Sequence, residues 1–357
     1  MANSRQGMET KAITEGAFMS ALAVLLVVVG VFVPILALIT NLVWALPIVV
    51  LCMRHGMRAG VAAMAVVGVL LMLLITPLRA IQMMISLAAP ALVLGCGLLR
   101  KWSTEKILAL TGFATFLGMC AYFVLTIQLM GLTLQQFMGS DPESIRQVVR
   151  LYEDLGFLAT VGLTAYQLEE YVTMMMSALV IILPSALLIS GLGVALLNYA
   201  VANMILKRLK VELPPVTRLA TFRLPMGIVF VFIAGLAMIV MGGMFFEENA
   251  TIPVVGQNIL LVVVALYFFQ GYALVAFLLE RYAPASHKFL RIVFAVLMLV
   301  NIIVMFVPVA LAGLIDALFD PRKLEYNIGA DVDAEGVGGK GKNIDKDDKD
   351  DKDDKVE

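Results

Sequence analysis

Long apolar runs, separated by short connections that carry the basic residues and prolines, set the pattern of this chain. A run of about 20 apolar residues, rising ~1.5 Å each, crosses a ~30 Å hydrocarbon layer. Such runs fall near residues 12–31, 41–54, 59–76, 81–99, 107–130, 172–206, 224–246, 254–280 and 290–318. They predict an all-α, polytopic transmembrane helical bundle of about eight or nine spans. The second run is short if the residues around Pro34 form a loop, and starts at Ile35 if they make a tight turn; proline before an apolar run allows either. In the last run Pro308 is the expected point of division, which would leave residues 310–319 as a half-helix turning back.

The longest connection, residues 131–170, carries a pattern of its own. Ser140, Pro142 and Glu143 resemble a capping box with proline in the first turn. Ile145, Val148, Val149, Tyr152 and Leu155 then recur at helical spacing until Gly156, which predicts an amphipathic helix of about four turns. It has three places to go: the membrane interface, a lid over a cavity, or the ends of the spans. Thr164 with Gln167 makes a second cap signal, followed by Glu169 and Glu170. In the long sixth run Pro184 is expected to kink the helix, and Gly191 with Gly193 to loosen it.

Composition enters because 61% apolar content, 15% charge and a mean hydropathy of +0.95 exceed what a soluble core needs. The net charge of −1 conceals an uneven layout: residues 331–357 hold six of the 26 Lys and Arg and eleven of the 27 acids. That segment, with its Lys-Asp-Asp repeat, is expected to be disordered because it has too little apolar surface to offset chain ordering. Gly336, Gly341 and Lys342 imitate a phosphate loop, but Asn343 stands where Ser or Thr is required and no strand precedes it. Nucleotide binding is not expected there, and nothing in the charge layout points to nucleic acid.

Charge also orients the bundle. Alternating spans from a cytoplasmic N-terminus put 15 Lys and Arg on the inner side, among them Arg54, Arg100 and Lys207, and only Arg79, Arg146 and Arg150 outside before the last span. This predicts a bacterial inner-membrane protein. The first run continues into Pro34 and a second apolar run, so it reads as a retained span rather than a cleaved signal. Residues 207–223, basic and containing Pro214-Pro215, form the best internal boundary. The expected organisation is a six-span bundle (1–206), three further passes (207–323) and an acidic tail (324–357).

Little in the chain suits catalysis. Cys52, Cys96 and Cys120 lie in or beside apolar runs without metal or disulfide spacing, and histidine is limited to His55 and His287. No nucleophile elbow, zinc signature or dinucleotide fingerprint is present, so neither an enzyme nor a cofactor is expected. Polar groups inside apolar runs are costly unless paired or facing a cavity, so they mark where function would sit. They are Asn41, Gln82, Gln128, Asn198, Asn203, Asn301 and Asp316. Arg79 and Gln82, three apart, share a helix face near the return of residues 131–170, where a small anion could be held. Alternatively Arg79 snorkels to headgroups or pairs with Glu169 or Glu170. The candidate ligand-binding set is Arg79, Gln82, Asn41, Gln128, Glu169 and Glu170. On the first run, Ala12, Gly16 and Ser20 form one small-residue stripe and Ala17 with Ala21 another, suited to close helix contact with a partner or within the bundle.

From Lys11 to about Lys323, including Gly313-Leu314-Ile315-Asp316 and Phe319-Asp320-Pro321-Arg322-Lys323, the chain resembles the YybS-like family of predicted bacterial membrane proteins. More loosely, the first six spans resemble the substrate-binding S components of energy-coupling-factor vitamin transporters. The carriers of that likeness are Ala17-x-x-x-Ala21, similar to the alanine motif that docks the coupling subunit, and Pro47 followed by Gly56 and Gly60. The likeness implies a six-helix bundle taking a small-molecule ligand from outside, with a transmembrane coupling subunit and a separate ATPase as partners alongside the lipid bilayer. The alternative is a scaffold or regulator of envelope processes that recruits partners through its loops and tail.

Overall fold

The computed structural model describes residues 2–209, 219–245, 251–283 and 286–322. The acidic tail and the Pro214-Pro215 connection lie outside the described residues. Among the described residues every regular element is helical: α1 (Ala2–Phe32), α2 (Pro34–Val43), α3 (Leu46–His55), α4 (Met57–Leu74), α5 (Pro77–Leu99), α6 (Thr104–Met130), α7 (Leu134–Met138), α8 (Pro142–Asp154), α9 (Phe157–Val161), α10 (Ala165–Arg208), α11 (Gly227–Phe245), α12 (Thr251–Tyr282), α13 (His287–Val300) and α14 (Ile302–Phe319). Among the described residues eight helices, counting α2 and α3 as one pass, are long and apolar enough to cross a membrane. The chain is an all-α, polytopic membrane bundle.

It divides into two compact units. The first comprises residues 1–218 and 227–266, the second residues 219–226 and 267–357. In the first unit, α1, α3, α4 and α5 enclose one apolar core around Ile48, Leu51, Val67 and Leu71, and α3, α5, α6 and α10 enclose another around Val49, Leu98, Ile107 and Leu206. Glycine permits the closest approaches. A Cβ at Gly60 would collide with Cys52 Sγ, and one at Gly191 would lie 2.8 Å from the carbonyl of Gly112 on α6. Gly191 therefore marks a tight helix contact rather than a loosened one. Gly56 has φ +85°, where glycine avoids the Cβ penalty, and reverses the chain between α3 and α4.

Three prolines bear on where the helices divide. Pro34 starts α2 directly after Val33, so the tight-turn alternative holds and the pass runs from residue 34 to 55. The last run divides at Asn301, not Pro308: Asn301 sits at φ −115°, ψ 33°, its Nδ2 donates to the Leu297 carbonyl, and α14 runs on through Pro308. A proline costs the ladder one donor, but the break goes to the residue whose side chain can bond backbone in a non-helical conformation. Pro184 lies inside α10, which runs 44 residues without interruption. There Asn258 of α12 bridges the Ser185 N–H and the Ile181 carbonyl at 3.0 and 2.9 Å. These two groups would bond each other in an undisturbed helix. A side chain inserted into the ladder beside a proline satisfies backbone that lipid could not.

At ~1.5 Å per residue α10 is about 66 Å long, roughly twice the hydrocarbon thickness, so it projects well beyond it. The amphipathic α8 packs against the amino-terminal end of α10, Ile145 and Val149 on Val172 with Ala165, Leu168 and Met176 around them. Of the three places open to it, α8 takes the span end. Its cap is Asp141, which accepts from the Ser144 N–H at 3.1 Å, whereas Ser140 donates to the Gln135 carbonyl. α10 carries the predicted Thr164–Gln167 capping box.

The bonds from Ser144 hold the Asp141 carboxyl below the usual carboxylate range. Because the folded-state value is lowered, the cap stabilises α8 above the unfolded carboxylate pKa and its contribution is lost as pH falls through the lowered value. Hydrogen exchange at the Ser144 and Ile145 amides should accelerate relative to neighbouring helices over that window. Asn caps as well as Asp without titrating, so Asp141→Asn should abolish the acceleration; persistence would place its origin elsewhere.

Candidate functional site

The first unit contains a cavity of about 300 Å³, half open at the end of the bundle where α1 finishes. Its walls come from four helices: Val27, Gly30 and Val31 of α1, Thr40 and Asn41 of α2 with Trp44 just beyond, Arg79, Gln82, Met83 and Leu87 of α5, and Tyr122 of α6. The hairpin between α1 and α2 shapes one side. A Cβ on Gly30 would meet Thr40 Oγ1, so glycine is what lets α2 fold back this closely. Thr40 Oγ1 donates to its own helix, with the Leu36 and Ala37 carbonyls each at 3.1 Å. Trp44, only 3% exposed, forms a rigid apolar wall.

On the opposite side, Pro77 sets the start of α5 and places Arg79 in its first turn and Gln82 one turn later on the same face. Gln82 is fixed by α6: its Nε2 donates to Thr126 Oγ1 at 3.1 Å, and that hydroxyl donates to the Tyr122 carbonyl at 2.7 Å. This leaves Gln82 Oε1 available to the cavity. Arg79 and Asn41 make no hydrogen bond or ion pair with other described residues. A guanidinium, an amide and an anchored amide acceptor facing apolar walls can hold a small anion with an apolar body.

Three of the six sequence candidates, Arg79, Gln82 and Asn41, therefore come together. The others do not join them. Glu169 lies 3.5 Å from Arg146 on the α8 side of α10, Glu170 is exposed beyond it, and Gln128 is exposed near the end of α6. The pairing of Arg79 with Glu169 or Glu170 is not formed. Trp44, Tyr122 and Gly30 escape sequence reasoning because their roles arise only when four helices meet.

The small-residue stripes part company. Ser20 is buried and donates to the Ala63 carbonyl at 3.4 Å, with Gly16 on the same inward side, while Ala17 and Ala21 are exposed. Pro47 is buried in the first turn of α3, and Gly56 and Gly60 serve the turn and the helix contact already described. At the amino-terminal side of α1, Glu15 accepts from His55 at 2.8 Å and lies 3.5 Å from Arg54, tying α1 to α3. Among the described residues no three His, Cys, Asp or Glu side chains group as a metal site, and the three cysteines are free.

The second unit carries a different buried polar group. Arg322, 2% exposed, donates from Nε to Asp316 Oδ1 at 2.8 Å, from Nη2 to Asp316 Oδ2, and from its two Nη atoms to the carbonyls of Ala220 and Phe222 at 2.9 and 3.0 Å. Gln270 donates to Asp316 at 2.8 Å and accepts from the Leu224 N–H at 3.2 Å. Arg223 and Asp320 add an ion pair at 3.1 Å. Asp316 is among the intramembrane polar candidates; Gln270 and Asn258, inside the eighth run, meet the same criterion but are missing from that set.

The sequence profile of a family described as predicted membrane protein (DUF2232) matches residues 21–317, most of the chain. The chain belongs to this family. The match to DUF2232 takes in the whole cavity, from Val27 to Tyr122, and Gln270 with Asp316, and stops short of Arg322. A relative, the uncharacterized protein YybS of Bacillus subtilis (strain 168), is 22% identical over 273 residues, covering 75% of this chain and 84% of that protein. No solved structure matches. The likeness to S components rests on Ala17, Ala21, Pro47, Gly56 and Gly60 alone, and the last three already have packing or turn roles here.

Proposed function

We propose that this chain is a non-catalytic membrane binding protein whose first unit holds a small organic anion in the Asn41–Arg79–Gln82 cavity. One observation carries the reading: polar side chains from two helices, Asn41 of α2 with Arg79 and Gln82 of α5, converge on about 300 Å³ of space that apolar side chains such as Val27, Trp44 and Leu87 also line, and their single cation has no anionic partner among the described residues. That volume is at the lower end of ligand pockets, ~300–1,000 Å³. The distribution of Lys and Arg supports a cytoplasmic N-terminus, which turns the cavity mouth to the cell exterior. Ala17 and Ala21, exposed on α1, offer a smooth stripe to a transmembrane partner, as in a coupling-factor transporter whose ATPase is a separate chain.

Thermal shift of the purified protein against a panel of apolar carboxylates and phosphate monoesters tests this. At least one anion should stabilise the wild type, and Arg79→Ala should weaken that ligand roughly ten- to hundredfold, the worth of a charged hydrogen-bonding group. Arg79 is exposed, so the unliganded melting point should hardly change. Equal binding by Arg79→Ala, or a panel without effect, would refute the proposal.

A further inference from the structure

The second unit has a groove of about 260 Å³ lined by Tyr272 of α12 and Lys288, Arg291, Ile292 and Ala295 of α13. Its chemistry is graded along α13. Lys288 and Arg291 lie one turn apart at one end, and Ile292 and Ala295 continue the same face with apolar surface. Ile292 and Val296, 64% and 53% exposed, extend that apolar surface away from the two cations. Tyr272 is held by ring stacking on Phe294 of α13, centroids 5.7 Å apart, which fixes its ring as one wall of the groove.

The charges do not cancel. Glu280 accepts from Arg291 Nη2 at 3.3 Å and balances one cation, while Lys288 is exposed and pairs with no other described residue. A site that is cationic at one end, apolar at the other, open at the side and set in a membrane-spanning chain matches an amphiphile with an anionic head. We propose that this groove binds the phosphate headgroup of an anionic phospholipid, with Lys288 and Arg291 on the phosphate and an acyl chain along Ile292 and Ala295. The site is separate from the Arg79 cavity and stands without it.

Native mass spectrometry of the full chain, titrated with phosphatidylglycerol or phosphatidylcholine in detergent, reads the proposal directly. The wild type should retain phosphatidylglycerol in preference to phosphatidylcholine, and Lys288→Ala should cut that retention about fivefold, the worth of one basic residue near anionic lipid. Glu280→Gln frees Arg291 and should strengthen retention, whereas a merely structural Arg291–Glu280 pair would leave lipid preference unchanged. Arg79→Ala should leave it as in the wild type. Excess inorganic phosphate should fail to displace the lipid, since the chain supplies part of the hold. Equal retention of the two lipids, no effect of Lys288→Ala, no gain in Glu280→Gln, loss in Arg79→Ala or displacement by phosphate alone would each overturn it.

Discussion

Asp316→Ala should be among the most destabilising single substitutions in the chain, lowering stability by about 3–5 kcal/mol, the usual cost of leaving one partner of a buried ion pair alone. Arg322 would keep its guanidinium in a site that solvent does not reach, with only the Ala220 and Phe222 carbonyls as acceptors, and Gln270 would lose its acceptor. Arg322→Ala should cost a similar amount by stranding the carboxylate. Replacing both, Asp316→Leu with Arg322→Met, removes the uncompensated charge and should recover much of the loss, though the two carbonyls then lack their donor. Thermal unfolding in detergent should rank wild type, double variant, single variants. Single variants that melt with the wild type would mean that this pair does not secure residues 219–226 against α14.

The second large effect is expected at Asn258→Leu. The substitution leaves the Ser185 N–H and the Ile181 carbonyl facing an apolar side chain, at about 1–3 kcal/mol for each unsatisfied group. The mechanism makes a sharper prediction through Pro184, whose ring crowds the carbonyl four residues earlier and opens the ladder where the amide enters. In a Pro184→Ala background α10 can close its own ladder, so Asn258→Leu should then cost less. The coupling is measured by melting the four proteins of the double-mutant cycle. Additive losses would show that Asn258 does not serve the backbone groups opened beside Pro184.

Both sites show how the sequence is readable and where it is not. Lipid makes apolar length a direct signal, because a backbone there must satisfy itself within a helix, and the pass count follows. Arg79 with Gln82, and Thr164 with Gln167, are legible for the same reason: partners three residues apart meet whatever the rest of the chain does. Asn258 with Ser185, Gln270 with Asp316 and Gly30 with Thr40 are different. Each is defined by which helices become neighbours, and a single sequence carries no local mark of that. The break at Asn301 instead of Pro308 makes a related point: proline weakens a helix, but a side chain able to bond the backbone decides where it stops.

A small organic anion held in the Arg79 cavity is the central expectation for this protein. Native mass spectrometry of protein extracted from its own membrane, with no ligand added, examines this most directly. The wild type should carry a small organic anion at one per chain, lost in Arg79→Ala and kept in Lys288→Ala. A wild type without such a passenger, or one that survives Arg79→Ala unchanged, would contradict it.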